Sequence, residues 1–106
     1  MSSALELTAG NFDSTVGVGV TLVDFWAEWC GPCRLMGPVL DDLAKDFGDK
    51  AKVCKVNVDN EPDLAMKFEV SSIPTLLVFK NGEIAKRFVG VTQKTEIKAA
   101  MDGAIS

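Results

Sequence analysis

The stretch VTLVDFWAEWCGPC, Val20 to Cys33, decides how this chain is read. Its first half, Val20 to Trp26, is rich in β-branched and aromatic residues. It is nearly continuous in apolar character, the pattern of a strand buried on both faces. One residue breaks the pattern. Asp24 shares a strand face with Leu22 and Trp26 by two-residue alternation, and a carboxylate in a buried strand is costly unless paired. The second half ends in two cysteines flanking Gly31-Pro32. From Cys33 onward Met36, Leu40, Leu43 and Phe47 recur at helical spacing. Pro38 lies inside that run and predicts a kink, because proline removes a donor and clashes with the preceding turn. The cysteine pair therefore sits where a strand gives way to a helix.

That junction suits sulfur chemistry. The first turn of a helix exposes unpaired N–H groups and carries a partial positive charge. A thiolate there is stabilised, and the thiolate is the form that attacks disulfides. Residues three apart share a helix face, so Cys30 and Cys33 are close enough to bond to each other. Pro32 presets φ for the helix start. Two other readings compete. Structural zinc asks for four ligands, often two such pairs or one pair with histidines, whereas this chain has no histidine and one further cysteine, Cys54. Incidental buried cysteines are common, but they do not explain C-G-P-C between a strand and a helix. C-x-x-C beside a βαβ pattern is an established mark of redox proteins.

The rest of the chain fits one domain, residues 1–106, within the usual span of ~100–150 residues. Its 47% hydrophobic and 25% charged residues match globular proteins in general, enough for a core without metal. A net charge of −4 argues against nucleic acid as a partner, since phosphate binding needs basic patches. No apolar run approaches the ~18 residues of a membrane span. The N-terminal segment lacks the basic start, apolar stretch and cleavage site of a signal peptide, so a cytoplasmic location is expected. Three cysteines are too few and too odd in number for a disulfide framework.

Around the decisive stretch the elements follow from local signals. Residues 9–16 read as a short helix capped by Thr8. Residues 51–58 read as a second buried strand. Asn60 and Pro62 open a short helix to about Phe68. Thr75–Lys80 reads as a third strand, Asn81-Gly82 as a hairpin turn, and Glu83–Val89 as the returning strand. From about Gln93 the positions Ile97, Ala100, Met101 and Ala104 make a last amphipathic helix. Strands alternating with helices predict parallel pairing with right-handed crossovers, and the terminal hairpin adds an antiparallel edge. The expected class is α/β: a mixed sheet with helices on both faces.

Several of these features converge on one family. WCGPC, preceded by FWAE, resembles the active-site signature of the thioredoxins. Asp24 in VDFWA, Pro38, Lys55, Ile73-Pro74-Thr75, Phe79 to Gly82, and Gly90 all fall in the family's order, so the resemblance covers nearly the entire chain. It implies the thioredoxin fold and protein disulfide reduction, with Cys30 as nucleophile and Cys33 as resolving thiol, the two forming the redox disulfide. It also implies that Asp24 lies beneath the dithiol, serves Cys33 through water, and pairs with Lys55. Desolvation would raise the Asp24 pKa while the ammonium lowers it. Thioredoxins carry a cis proline at the position of Pro74, and the Ile73 backbone pairs with an extended client segment. Trp29, Gly31, Pro32, Ile73, Pro74, Val89, Gly90 and Val91 would form an exposed, mostly apolar docking surface around Cys30.

The implied partners are disulfide-bearing client proteins and a thioredoxin reductase drawing on NADPH. The chain itself is expected to hold no cofactor and to be a monomer. A thiol oxidase or isomerase on the same fold is the nearest alternative. A histidine between the cysteines would favour it, whereas Gly31-Pro32 fits a reductant. A non-catalytic binding module is the other. Trp26 is expected to pack beneath the active loop. Cys54 alternates with Lys55 and should point to the opposite face as a buried structural thiol, with a regulatory or dimer-forming role as the alternative.

Overall fold

The computed structural model describes residues 3–106, and its elements run in the order β1 (Leu5–Glu6), α1 (Phe12–Val16), β2 (Val20–Trp26), α2 (Gly31–Phe47), β3 (Lys52–Asn57), α3 (Pro62–Lys67), β4 (Thr75–Lys80), β5 (Glu83–Val89) and α4 (Lys94–Ile105). A single 3-10 turn, Gly48–Lys50, follows α2. Among the described residues five strands form one sheet, ordered β1-β3-β2-β4-β5. β1 and β2 run parallel to β3, while β4 runs antiparallel to both β2 and β5.

The antiparallel β2–β4 pair differs from the parallel pairing expected of the strands linked by helices, and helix length explains it. At 17 residues, α2 spans roughly 25 Å, enough to carry the chain back along a strand and start β3 parallel to β2. At six residues, α3 spans only about 9 Å. The chain is still near the far end of the sheet when β4 begins, so β4 must run back.

β2 is the central strand and is buried at all seven positions. On one face Val20, Leu22, Val53, Leu76 and Val78 pack with Met36, Leu40, Leu43 and Phe47 of α2 and Ile97 and Met101 of α4. On the other, Val23, Phe25, Cys54, Val56, Leu77 and Phe79 pack with Phe12 and Val16 of α1 and Leu64 of α3. Helices thus cover both faces, as expected. β5 is the exposed edge of the sheet.

Two further expectations shift. β1 was not expected; Leu5-Glu6-Leu7 is too short an alternation to signal a strand, and its pairing with Cys54 and Lys55 is what makes it one. α1 begins at Phe12 rather than residue 9, and Thr8 is not its side-chain cap. Instead the Thr8 N–H donates to Asn11 Oδ1 at 2.7 Å, which holds residues 8–11 in a turn. α2 opens at Gly31, between the two cysteines as expected, and continues through Pro38 as one element.

The hairpin turn forms where Asn81-Gly82 predicts it. Both residues have positive φ, 50° and 87°, as a two-residue turn with the sheet's twist requires. The turn is also tied across the fold, because Asn81 Oδ1 accepts the Gly19 N–H at 2.8 Å.

Candidate active site

The site is built where β2 ends. Ala27 to Trp29 turn the chain, with the Cys30 N–H donating to the Ala27 carbonyl at 3.2 Å. Cys30 is the N-cap of α2, in extended conformation, with Pro32 in the first turn where its missing N–H leaves nothing unpaired. Cys30 and Cys33 are joined as a disulfide, their Cα atoms 5.3 Å apart. The Cys33 N–H donates to Cys30 Sγ at 3.2 Å. A sulfur therefore takes the place of the side-chain oxygen that usually caps a helix, and receives one of the orphan N–H groups. Cys30 Sγ also lies 3.8 Å from the Ile73 carbonyl oxygen. In the disulfide this is a contact, because the sulfur carries no hydrogen; the reduced thiol can donate there.

Beneath the pair, Trp26, Ala27, Cys30 and Cys33 form a small apolar cluster against Val58 and Ile73. Trp26 is 6% exposed and packs under the active loop, as expected. Both cysteines are buried in this oxidised state.

Asp24 lies two residues earlier on the same strand face as Trp26. It is 2% exposed, and its Oδ1 has no hydrogen-bond partner among the described residues. Its pKa is pushed up to about 8, chiefly by burial; Lys55 pulls it down, and Glu6 pushes it up further. Desolvation therefore outweighs the ammonium. Lys55 is the register partner of Asp24 across β2 and β3. It is half-buried, with its ammonium over the Trp26 ring, 5.2 Å from the centroid. That geometry is a cation–π contact.

Around the dithiol, Trp29, Gly31, Pro32, Val89 and Val91 are exposed, while Ile73 and Gly90 are half-buried. Pro74 departs from the expected exposed surface. It is buried, and its carbonyl accepts the N–H of Gly90, the residue after β5, at 2.7 Å. The Ile73–Pro74 bond is cis, as the resemblance implied. A groove of ≈ 420 Å³ beside Cys30 is lined by Trp29, Val58, Val70, Ser71, Ser72 and Ile73.

With this geometry in view, comparison with known proteins is decisive. The family model described as Thioredoxin matches residues 3–103. The chain belongs to the thioredoxin family. It is 49% identical over 98 residues to a thioredoxin of Staphylococcus haemolyticus, an alignment covering 92% of this chain and 94% of that one. It is 48% identical, with the same coverage, to a thioredoxin of Staphylococcus aureus. Among solved structures it superposes on a mutant thioredoxin from Halobacterium salinarum with a TM-score of 0.89 at 31% identity, covering 97% of this chain and 91% of that one. Like these thioredoxins, the chain is a protein-disulfide reductase, a thiol–disulfide oxidoreductase with a Cys30–Cys33 redox pair. Disulfide-bearing clients and a thioredoxin reductase are the family's partners in general.

Four residues near this thioredoxin centre escaped the sequence reading. Trp29 donates its indole N–H to Asp59 Oδ2 at 2.9 Å. Asn57 Oδ1 accepts the Asp59 N–H at 2.9 Å and braces that loop. Glu6 reaches Trp26 from β1. Leu35, one helical turn after Gly31, is 64% exposed and extends the apolar rim. Only Leu35 left a trace in the sequence, as an apolar residue off the buried stripe of α2. The others are ordinary polar residues whose partners lie 20 to 51 positions away.

Proposed function

We propose that Cys30 is the attacking thiolate and Cys33 the resolving thiol. The single observation that carries this reading is the Cys33 N–H directed at Cys30 Sγ, 3.2 Å away at the helix N-terminus. The first turn of α2 favours negative charge on that sulfur rather than on Cys33, which is already inside the helix. In the reduced protein Cys30 attacks one sulfur of a client disulfide. A Cys30–client bond forms, and the other client sulfur leaves as a thiolate and takes up a proton. Cys33, deprotonated, then attacks Cys30. The Cys30–Cys33 bond forms, the mixed disulfide breaks, and the second client thiol is released. Two electrons have passed to the client, and a reductase returns the pair to the dithiol at the cost of one NADPH.

Asp24 supplies the base that Cys33 needs. A carboxyl with its pKa near 8 exchanges protons in the same range as a thiol of about 8.5, the matching that efficient proton transfer requires. Lys55 tempers that shift. Trp29, Gly31, Pro32, Ile73, Val89, Gly90 and Val91, with Pro74 beneath them, dock the client as an extended segment. The cytoplasm is the proposed location, and among the described residues no helix is long and apolar enough to cross a membrane.

NADPH-coupled insulin reduction with a thioredoxin reductase tests the assignment. Cys30→Ser should be inactive. Cys33→Ser should accumulate a covalent adduct with its client through Cys30, visible on a non-reducing gel. An active Cys30→Ser protein, or an adduct through Cys33 instead, would reverse the roles.

A further inference from the structure

Both indole N–H groups near the dithiol end on carboxylates. For Trp29 the acceptor is Asp59, in the loop after β3. For Trp26 it is Glu6, on the edge strand β1, with Nε1 to Oε2 at 3.3 Å. The same Glu6 oxygen accepts the Asn57 backbone N–H at 3.0 Å. Asn57 is the register partner of Trp26, and its side chain braces Asp59. One carboxylate oxygen on β1 thus joins the ends of β2 and β3, and through Asn57 and Asp59 the link extends to Trp29. Register places Glu6 there: β1 pairs with β3 so that Glu6 lies beside Lys55, and Lys55 beside Asp24. The three charged residues form a row across three neighbouring parallel strands on one sheet face. Lys55 sits over the Trp26 ring while Glu6 holds its edge.

We propose that Glu6 is a positioning residue for the redox centre: its carboxylate fixes the Trp26 indole against which Cys30 and Cys33 pack, and anchors the strand end that carries Asp59. The physical reason is the shape of the cluster. Trp26, Ala27, Cys30 and Cys33 form one small cluster against Val58 and Ile73, so a rotation of the large indole is transmitted to the sulfurs. A hydrogen bond to a charged acceptor is stronger than one to a neutral acceptor, and the Glu6 oxygen that accepts the indole N–H also accepts the Asn57 N–H, tying the ring edge to the end of β3. The inference rests on the exchange reaction assigned to Cys30 and Cys33.

Three variants test it. Glu6→Ala removes the acceptor. Glu6→Thr removes its reach while keeping a good strand former. Glu6→Gln keeps an acceptor of the same length. The readouts are the Trp26 indole N–H resonance in a ¹H–¹⁵N spectrum, the rate of reductase-coupled insulin reduction, and stability in denaturant. Glu6→Ala and Glu6→Thr should move the Trp26 resonance and slow reduction by about three- to tenfold, less than the ~10²-fold that an ångström of misplacement can cause. Glu6→Gln should return the rate to within about twofold of the parent. An unmoved resonance, a moved resonance with an unchanged rate, or a glutamine variant as slow as the alanine one would each overturn the proposal. A parent protein that reduced no insulin would instead remove the assignment of the reaction, and the resonance would still decide the geometry.

Discussion

Val23 and Cys54 face each other across β2 and β3, and one residue further along Asp24 faces Lys55. The two pairs are neighbours in sequence and in the sheet, yet they have opposite chemistry. Val23 and Cys54 point into the cluster with Phe12, Phe25 and Phe79. There burial pushes the Cys54 thiol up to about 11, with Lys52 opposing it weakly, so the sulfur is inert near neutral pH. Asp24 and Lys55 point to the other face, on the side of Trp26 and the disulfide. Both Cys54 and Cys30 are buried, so exposure does not separate the silent sulfur from the redox one. The difference lies in what each sulfur meets: aromatic rings and aliphatic chains for Cys54, a helix N–H for Cys30. Both faces of the sheet carry an apolar core, and the polar intrusion of Asp24 interrupts one of them at a cost in stability.

That contrast can be broken most forcibly at Asp24. Its pKa is about 8 in the folded chain against an ordinary value of 3.8. Below about pH 4 both states are neutral and the carboxyl costs little charge energy. Between pH 4 and 8 only the unfolded chain ionises, so the parent loses stability as pH rises, and above pH 8 the penalty is constant. Asp24→Ala should therefore be more stable than the parent by about 2–4 kcal/mol at pH 8, after the cost of the cavity, and by little at pH 3.5. The same variant should exchange disulfides more slowly. Guanidinium melts at the two pH values check the sign; a stability difference that did not grow with pH would mean that Asp24 carries no charge penalty.

Cys54 sharpens the other half of the comparison. Cys54→Ser places a hydroxyl among apolar side chains and should cost about 1–3 kcal/mol, while the exchange rate per folded molecule stays within about twofold of the parent. In the reduced parent at pH 8, iodoacetamide should label Cys30 and leave Cys54 unmodified, as mass spectrometry can show. Labelling of Cys54 at the rate of a free thiol would give it a role beyond packing.

The smallest effect is expected at Thr21. By alternation it lies on the same face as Val23, fully buried, and its hydroxyl has no partner among the described residues. Thr21→Val removes that unpaired group at nearly constant shape and should stabilise the fold by about 1 kcal/mol. No change in a denaturant melt would indicate a bridging water at the hydroxyl, and the face would be less dry than its neighbours suggest.

Much of this architecture was legible beforehand. β4 and β5 coincide with the segments expected, and the Asn81-Gly82 turn joins them. Those signals are local: runs of strand formers and a dipeptide that tolerates positive φ. Alternation likewise turned Cys54 away from Lys55, and the resemblance paired Lys55 with Asp24. What failed was non-local. β1 exists because it pairs with β3, and nothing within Leu5-Glu6 announces it. The direction of β4 depends on how far α3 carries the chain. Pro74 is buried rather than exposed, and its carbonyl accepts the N–H of Gly90, 16 positions later.

By itself the sequence determined the redox pair, the carboxylate out of place in an apolar strand, and the alternation that turns Cys54 away from Lys55. These depend on spacing and periodicity, which neighbouring residues carry in full. Tertiary structure alone decided which charges meet Asp24, which carboxylates hold the two indoles, and which docking residues reach solvent. Hydrogen bonds and desolvation act over a few ångströms in space, and the residues they join here stand tens of positions apart along the chain.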